Sequence, residues 1–355
     1  MLWDEKFEMS LTKQKALELF RSDDLIGVGM AADQVRRQKH PENVVTYQID
    51  RNINYTNFCT EYCSFCAFYR PMGSPEGYVL DLDTIYQKID ETLALGGSGI
   101  LMQGGLHGEL KIDYYENLLR SIKQRYPKLH LHCFSAPEIL NIAELSGLTI
   151  RDTFRRLMDA GLDSIPGAGA EILDDEVRRR ISRLKCTAEE WVEVHRTAHA
   201  LGMRTTATMM FGCGETIENR VNHLEVIRQI QADTGGFTAF IPWMYQRENT
   251  PLASQVKEEA TAVDYLKTLA ITRLYLDNID NVQASWLTPG IKICQVALRF
   301  GANDVGSILI EENVVAAAGC HNRTNEAELR HIIHDAGFTP AQRDTLYRAY
   351  FLRYN

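Results

Sequence analysis

The 355-residue chain is predicted to fold as an α/β protein: a parallel β/α barrel of TIM type with six to eight units. Three observations predict it. A helix, a small residue with Gly and a short apolar strand recur in that order in ETLALGGSGILMQGG, LMDAGLDSIPGAGAE and AHALGMRTTATMMFG. Gly at a helix C-terminus followed at once by a strand is the αβ turn of a repeated unit. Helical segments separate all of the candidate strands. This favours a parallel barrel, although periodicity alone leaves a doubly wound sheet open. Finally, the length suits one large barrel or two smaller domains, and no linker or low-complexity segment divides the chain.

In chain order, residues 1–46 read as an N-terminal helical cap packed outside the barrel. The barrel itself runs over 47–310. Strands are expected at 47–56, 99–103, 129–134, 162–165, 203–210 and 237–242, with two weaker ones at 282–286 and 304–309. Leu82, Ile85, Ile89 and Leu93 fall on one face of a helix after the first strand. Thr149 with Asp152 is expected to cap another helix. Thr187 with Glu190 makes a capping box ahead of WVEVHRTAHAL. Residues 311–355 read as a helical extension, with Pro340 in the first turn of the last helix. The whole chain, 1–355, is one domain on this reading.

The balance of 38 basic against 47 acidic residues gives a net charge of −9, which argues against a nucleic-acid surface. MLWDEKFEMSLTKQ lacks the apolar stretch of a signal peptide, and no run is long enough to span a bilayer. A cytoplasmic protein is expected. Cys133, Cys186, Cys213, Cys294 and Cys320 are scattered and are expected as free thiols.

Cys59, Cys63 and Cys66 are different. They stand close together in CTEYCSFC, directly after the first strand. Three thiolates on one loop can hold three irons of a cubane cluster and leave the fourth without a protein ligand. Clusters that serve only electron transfer are normally ligated by four cysteines. The open iron therefore suits a substrate, or S-adenosylmethionine bound through its amino and carboxylate groups. A zinc-stabilised binding module is the remote alternative, since zinc prefers paired ligand motifs and no second pair is present. In a barrel, active sites form where strands end, so GGLHGE, SAPE, PGAGAE and GCGET would ring the same mouth as the cysteine loop.

Strand parity adds one residue. In LHLHCF, Leu129, Leu131 and Cys133 alternate with His130, His132 and Phe134. If the apolar set packs against helices, His132 points inward near substrate, or else is a hydrogen-bonded histidine of a filled interior. Thr206 and Thr208 are possible inward hydroxyls, with structural use the more common fate.

The CxxxCxxC motif, with Phe65 before its third cysteine, resembles the radical S-adenosylmethionine superfamily. RNINYTNFCTEYCSFCAFYR, QGGLHGEL, PGAGAEIL, TTATMMFG, GGFTAFIPW, NVQASWLTPG, LRFGANDVGS and EENVVAAAG narrow the resemblance. They are similar to the group holding the menaquinone enzymes of the futalosine route and the deazaflavin FO synthases, over about residues 10 to 350. RNINYTN, QASWLTPG and PAQRDTLY place it nearest the cyclic dehypoxanthinyl futalosine synthases.

The resemblance implies a 4Fe-4S cluster on Cys59, Cys63 and Cys66 and S-adenosylmethionine as cofactor. It places the methionine amino group at Gln103, Gly104 and Gly105, the adenine at Phe65 and the ribose hydroxyls at Glu171. A plain αβ turn, core packing and a helix-capping acid are the respective structural alternatives. One departure stands out: Cys213 occupies a place where relatives tend to carry His.

The implied reaction closes a ring in dehypoxanthine futalosine. A 5′-deoxyadenosyl radical takes hydrogen from the ribose 4′ carbon, and the carbon radical adds to the benzoate ring. His132 is the expected proton acceptor, Arg70, Arg204 and Lys292 are candidates for the substrate carboxylate, and flavodoxin or ferredoxin is the expected electron donor. Aminofutalosine synthase or FO synthase chemistry, which joins two substrates, is the alternative.

Overall fold

The computed structural model describes residues 11–348 and 350–351. The strands among them are β1 (Val44–Gln48), β2 (Asn52–Ile53), β3 (Gly99–Met102), β4 (His130–Cys133), β5 (Ser164–Ile165), β6 (Arg204–Phe211), β7 (Phe237–Met244), β8 (Asn281–Val282), β9 (Asp304–Ser307), β10 (Thr339–Arg343) and β11 (Tyr350–Phe351). Strands β2 to β8 form one sheet in chain order, every neighbouring pair parallel.

The sheet returns on itself through β9 and β1. Asn303 N donates to Val282 O at 3.1 Å and Ala284 N to Asp304 O at 2.8 Å. On the other side of β9, Ile308 N donates to Gln48 O at 3.0 Å, and Leu101 N to Arg51 O at 3.0 Å carries the ring on to β3. This is the parallel β/α barrel that the repeated units predict. The expected strands are all present, most of them within three residues of their expected ends. The first one starts earlier, at Val44, and is interrupted at residues 49–51.

Helices cover the outside. Thr187 and Glu190 form the expected capping box, and the Thr149 side chain accepts from Asp152 N. Helix Leu82–Ala94 buries Ile85, Ile89 and Thr92. Leu82 and Leu93, placed on its inner face by sequence, are instead exposed at its two ends. Helices Lys13–Arg21 and Leu25–Lys39 pack on the outer helices Ile217–Thr234 and Ala262–Tyr275. Residues 1–10 of the expected N-terminal cap lie outside the described residues.

The C-terminal stretch departs from expectation. Helix Glu326–Asp335 is present, but Pro340 lies in strand β10, not in a helix. Val44 pairs with Thr339, and the register continues to Tyr47 with Gln342. Pro340 is tolerated because β11 pairs only with Gln342 and Arg343, so its missing N–H interrupts no ladder on that side. The signal that suggested a helix was local, whereas the partner that makes a strand lies almost 300 residues away in sequence.

This strand matters for the interior. Gln342 Nε2 donates to Gly96 O at 2.8 Å, and Gln48 Nε2 to Thr345 Oγ1 at 2.9 Å. Gln342 of β10 and Thr345 just after it thus close the end of the barrel where the strands begin. A TIM barrel normally fills its interior with packed side chains. Here a cavity of about 430 Å³, within the range of small-molecule sites, occupies it.

Candidate active site

The cysteine loop hangs between two anchors. Cys59 N donates to Arg70 O at 3.0 Å, Arg70 N to Asn57 O at 2.7 Å, and Thr60 N to Leu106 O at 3.0 Å. Ser64 N and Oγ both donate to Ile181 O at 2.8 Å. Tyr62 holds a left-handed backbone, φ 48°, which costs a non-glycine residue free energy and marks a loop bent by its surroundings. These bonds turn Cys59, Cys63 and Cys66 onto the cavity.

The residues expected to hold the cluster and S-adenosylmethionine, and the expected base, all line one cavity: the three cysteines, Phe65, Gln103, Gly104, Gly105, His132 and Glu171. The local reasons differ. Glu138, in the capping box of helix Ala136–Ser146, accepts from Gly104 N at 3.0 Å and from the Tyr55 hydroxyl at 2.8 Å. It thereby fixes the glycine segment. Glu171 sits at φ 40° and pairs with Lys185. Lys185 also stands 5.2 Å from the Phe65 ring centroid. Sequence reasoning missed Lys185, a loop lysine with no motif around it.

Burial pushes all three thiols up, Cys63 to about 12, and Lys185 favours their charged form. Neutral thiols are poor ligands; iron binding supplies the charge that keeps them deprotonated. Among the described residues, no three His, Cys, Asp or Glu side chains converge on a point where a single ion would sit. A cubane asks for something else, one thiolate on each of three irons, on a loop that opens into a cavity.

Two further observations fit a bound cofactor. The Gln103 Nε2 and Glu61 Oε2 atoms are buried without a hydrogen-bond partner, and both residues line the cavity. Buried polar atoms are rarely left this way unless a ligand completes them. The Gly105 backbone also lies where no side chain fits: a Cβ there would stand 2.3 Å from Phe58 O and 2.8 Å from Cys59 Cβ. Gly105→Ala is therefore expected to cost about 1–3 kcal/mol of overpacking and to displace Cys59. Iron content after anaerobic reconstitution should fall well below wild type, with the far-ultraviolet circular dichroism unchanged.

His132 keeps its expected parity. Leu131 and Cys133 are buried in the outer layer, while His132 faces the cavity. Its Nδ1 lies 2.6 Å from Ser164 Oγ, which also stands 2.7 Å from His130 Nε2. Burial, aided by His130 and Arg343, holds His132 down at about 3, so it is a neutral imidazole. Thr206 and Thr208 reach the cavity wall but are spent on Gly167, at 3.0 and 2.8 Å.

Other expectations are corrected. GCGET does not line the cavity. Glu215 folds back to accept from Gly212 N and Cys213 N, both at 2.8 Å, and pairs with Arg220. Cys213 is a buried thiol beside it and does not line the cavity. None of the three candidate cations for a carboxylate faces the cavity. Arg70 clamps its own loop through Ala67, Phe68 and Tyr69 carbonyls and Glu76. Arg204 is exposed and donates to Gly235 O, and Lys292 is exposed. The cavity's cations are Lys185 and Arg343.

The cavity has two ends. Cysteines, glycines, Phe65 and Glu171 make one. The other is made by Gln48, Asp50 and Asn52 from the first strand and by residues beyond 240, among them Trp243, Gln283, Trp286, Ser307 and Arg343. The chain matches the radical SAM superfamily over residues 53–227 and the CofH/MqnC C-terminal region over residues 234–353. The boundary between them divides most of the cavity wall in the same way.

The chain is 49% identical over 337 residues to cyclic dehypoxanthine futalosine synthase of Halalkalibacterium halodurans, covering 95% of this chain and 90% of that protein. The corresponding enzyme of Streptomyces coelicolor is 45% identical, covering 95% and 85%. A 5-amino-6-(D-ribitylamino)uracil–L-tyrosine 4-hydroxyphenyl transferase of Methanococcoides burtonii is 40% identical, covering 98% of each. Among solved structures, methylornithine synthase shares the fold at a TM-score of 0.70 and 20% identity over 94% of each chain. No helix among the described residues is long and apolar enough to cross a membrane. The chain is an enzyme of the radical S-adenosylmethionine superfamily and belongs to the family within it that carries the CofH/MqnC C-terminal region.

Proposed function

We propose that this enzyme cyclises dehypoxanthine futalosine, within menaquinone biosynthesis, by taking hydrogen from the ribose 4′ carbon and joining that carbon to the benzoate ring. The observation that carries this reading is the single cavity joining the cysteine loop to the polar wall of the C-terminal region, in a chain 45–49% identical to two such synthases. When bound, a 4Fe-4S cluster and S-adenosylmethionine would supply reductive cleavage and a carbon-centred oxidant.

The chain's own residues do the rest. Cys59, Cys63 and Cys66 would hold the cluster through their thiolates. Gln103, Gly104 and Gly105 receive the methionine amino group, with Lys185 the cation nearest Glu171. Glu171 accepts from the ribose hydroxyls, and Phe65 packs against the adenine. The buried walls exclude water from the reacting centre. His132, neutral and held by Ser164, stands as a hydrogen-bond partner at the substrate end. The enzyme works in the cytoplasm on a small molecule, with no nucleic acid or membrane partner, and takes its electron from a flavodoxin or ferredoxin.

The 40% identity to a hydroxyphenyl transferase favours one second reading, radical joining of two substrates. Anaerobic incubation of the reconstituted, reduced enzyme with S-adenosylmethionine and dehypoxanthine futalosine decides between them. A product lighter than substrate by two hydrogens is expected. Product only with a second substrate, at the summed mass, would replace cyclisation by joining.

A further inference from the structure

We infer that Asp50 is the proton acceptor of the ring closure, the role expected from sequence for His132. The inference rests on the cyclase reading and deepens it. Asp50 lies in the break between β1 and β2 and lines the cavity together with Gln48, Asn52 and Asn54. Its side chain is buried, and its Oδ1 has no hydrogen-bond partner. A buried carboxylate oxygen at a cavity wall is left this way at a cost, unless a ligand or a transferred proton completes it.

Three of the four other carboxylates of the cavity are already committed. Glu138 accepts from Ser135, Gly104 and Tyr55. Glu171 pairs with Lys185. Glu312 accepts from the backbone N–H groups of Val314, Val315 and Ala316. Glu61 also has a free oxygen, but it sits between Cys59 and Cys63 at the cofactor end. Asp50 is at the opposite end, beside Gln48, Ser307 and Arg343. His132 is unsuited because Ser164 occupies one ring nitrogen and its surroundings oppose positive charge.

The charges around Asp50 suit the task. Burial pushes its carboxyl up to about 6; Asp304 of β9 adds to this, while the Ser307 hydroxyl and Arg343 of β10 pull it down. A base works best with a pKa near the operating pH. The step balances as follows. After the ribose carbon has bonded to the ring, that ring carbon still carries its hydrogen, and the ring holds one unpaired electron. The carbon–hydrogen bond breaks, its proton passes to Asp50 Oδ1, and one electron leaves as the ring regains aromaticity. The oxidised iron–sulfur cluster left by reductive cleavage would accept that electron, which equals the one it had supplied, so the proposed reaction closes the account.

The test uses reconstituted holoenzyme, counting 5′-deoxyadenosine and cyclised product separately. Asp50→Asn should form 5′-deoxyadenosine within a few-fold of wild type, while product per 5′-deoxyadenosine falls about 100-fold. Asp50→Glu should recover part of the loss. An unchanged ratio in Asp50→Asn, or a raised KM with kcat intact, overturns the inference. Should Asp50→Asn not fold, the wild-type pH profile decides. The ratio should rise with pH through about 6, as Asp50 ionises, and level off above; a ratio flat between pH 5 and 8 overturns it. Failure of the cyclase reading looks different, because wild type itself then gives no product lighter by two hydrogens.

Discussion

Replacing Cys59, Cys63 or Cys66 with Ala is expected to abolish formation of 5′-deoxyadenosine and to leave a colourless protein that still folds. In the proposed ligation each thiolate would hold one iron, and the remaining pair could not retain a cubane whose fourth iron has no protein ligand. The loop survives because its shape rests on backbone bonds, Cys59 N to Arg70 O and Ser64 N to Ile181 O among them, which the substitutions do not touch. Iron and sulfide analysis after anaerobic reconstitution checks this. Wild type should carry about four irons per chain and the variants far fewer. Cys213→Ala is the control: its thiol lies outside the cavity lining, so iron content should match wild type. Full iron content in a Cys63→Ala protein would remove the cluster assignment from this loop.

Arg343→Met should destabilise the fold by about 3–5 kcal/mol, a large share of the stability of a typical domain. Arg343 Nε and Nη2 bind Asp304 Oδ2 and Oδ1 at 2.6 and 3.1 Å, and Nη1 donates to Gln48 Oε1 at 2.7 Å. Both partners of this ion pair are buried. Methionine keeps most of the apolar volume, so the lost packing is the smaller effect. The dominant one is a buried Asp304 carboxylate left without its cation. Urea unfolding of the reconstituted protein measures it. Asp304→Asn in the same chain should restore much of the loss, because the uncompensated charge is gone. A midpoint shift in Arg343→Met within error of wild type would mean that water reaches Asp304.

The parts of the site legible in sequence share a property: their geometry is local. Three cysteines within eight residues must share a loop. His132 faces the interior because residues alternate along a strand. Gln48, Asp50, Asn52 and Asn54 obey the same alternation, so the polar wall of the cavity was readable in QIDRNINYTN. Arg70 and Arg204 show the opposite: both lie near strand ends, yet each is consumed by carbonyl groups nearby, which spacing does not reveal.

The sequence is enough for the order of the β/α units and for the shared loop of the three cysteines, and it favours a barrel over a doubly wound sheet. Those follow from repeats and spacings within about thirty residues, and from the rule that loops after parallel strands gather at one end. Only the tertiary structure decided what closes the other end. TPAQR carries a proline that reads as a helix start, and becomes a strand because β1 offers it a ladder. That pairing carries Arg343 into the interior against Asp304. Only folding brings Lys185 against Glu171, leaves Asp50 Oδ1 without a partner, and turns Glu215 back over Cys213. A charge declares its role through the partner it finds, and here those partners come from distant strands and helices.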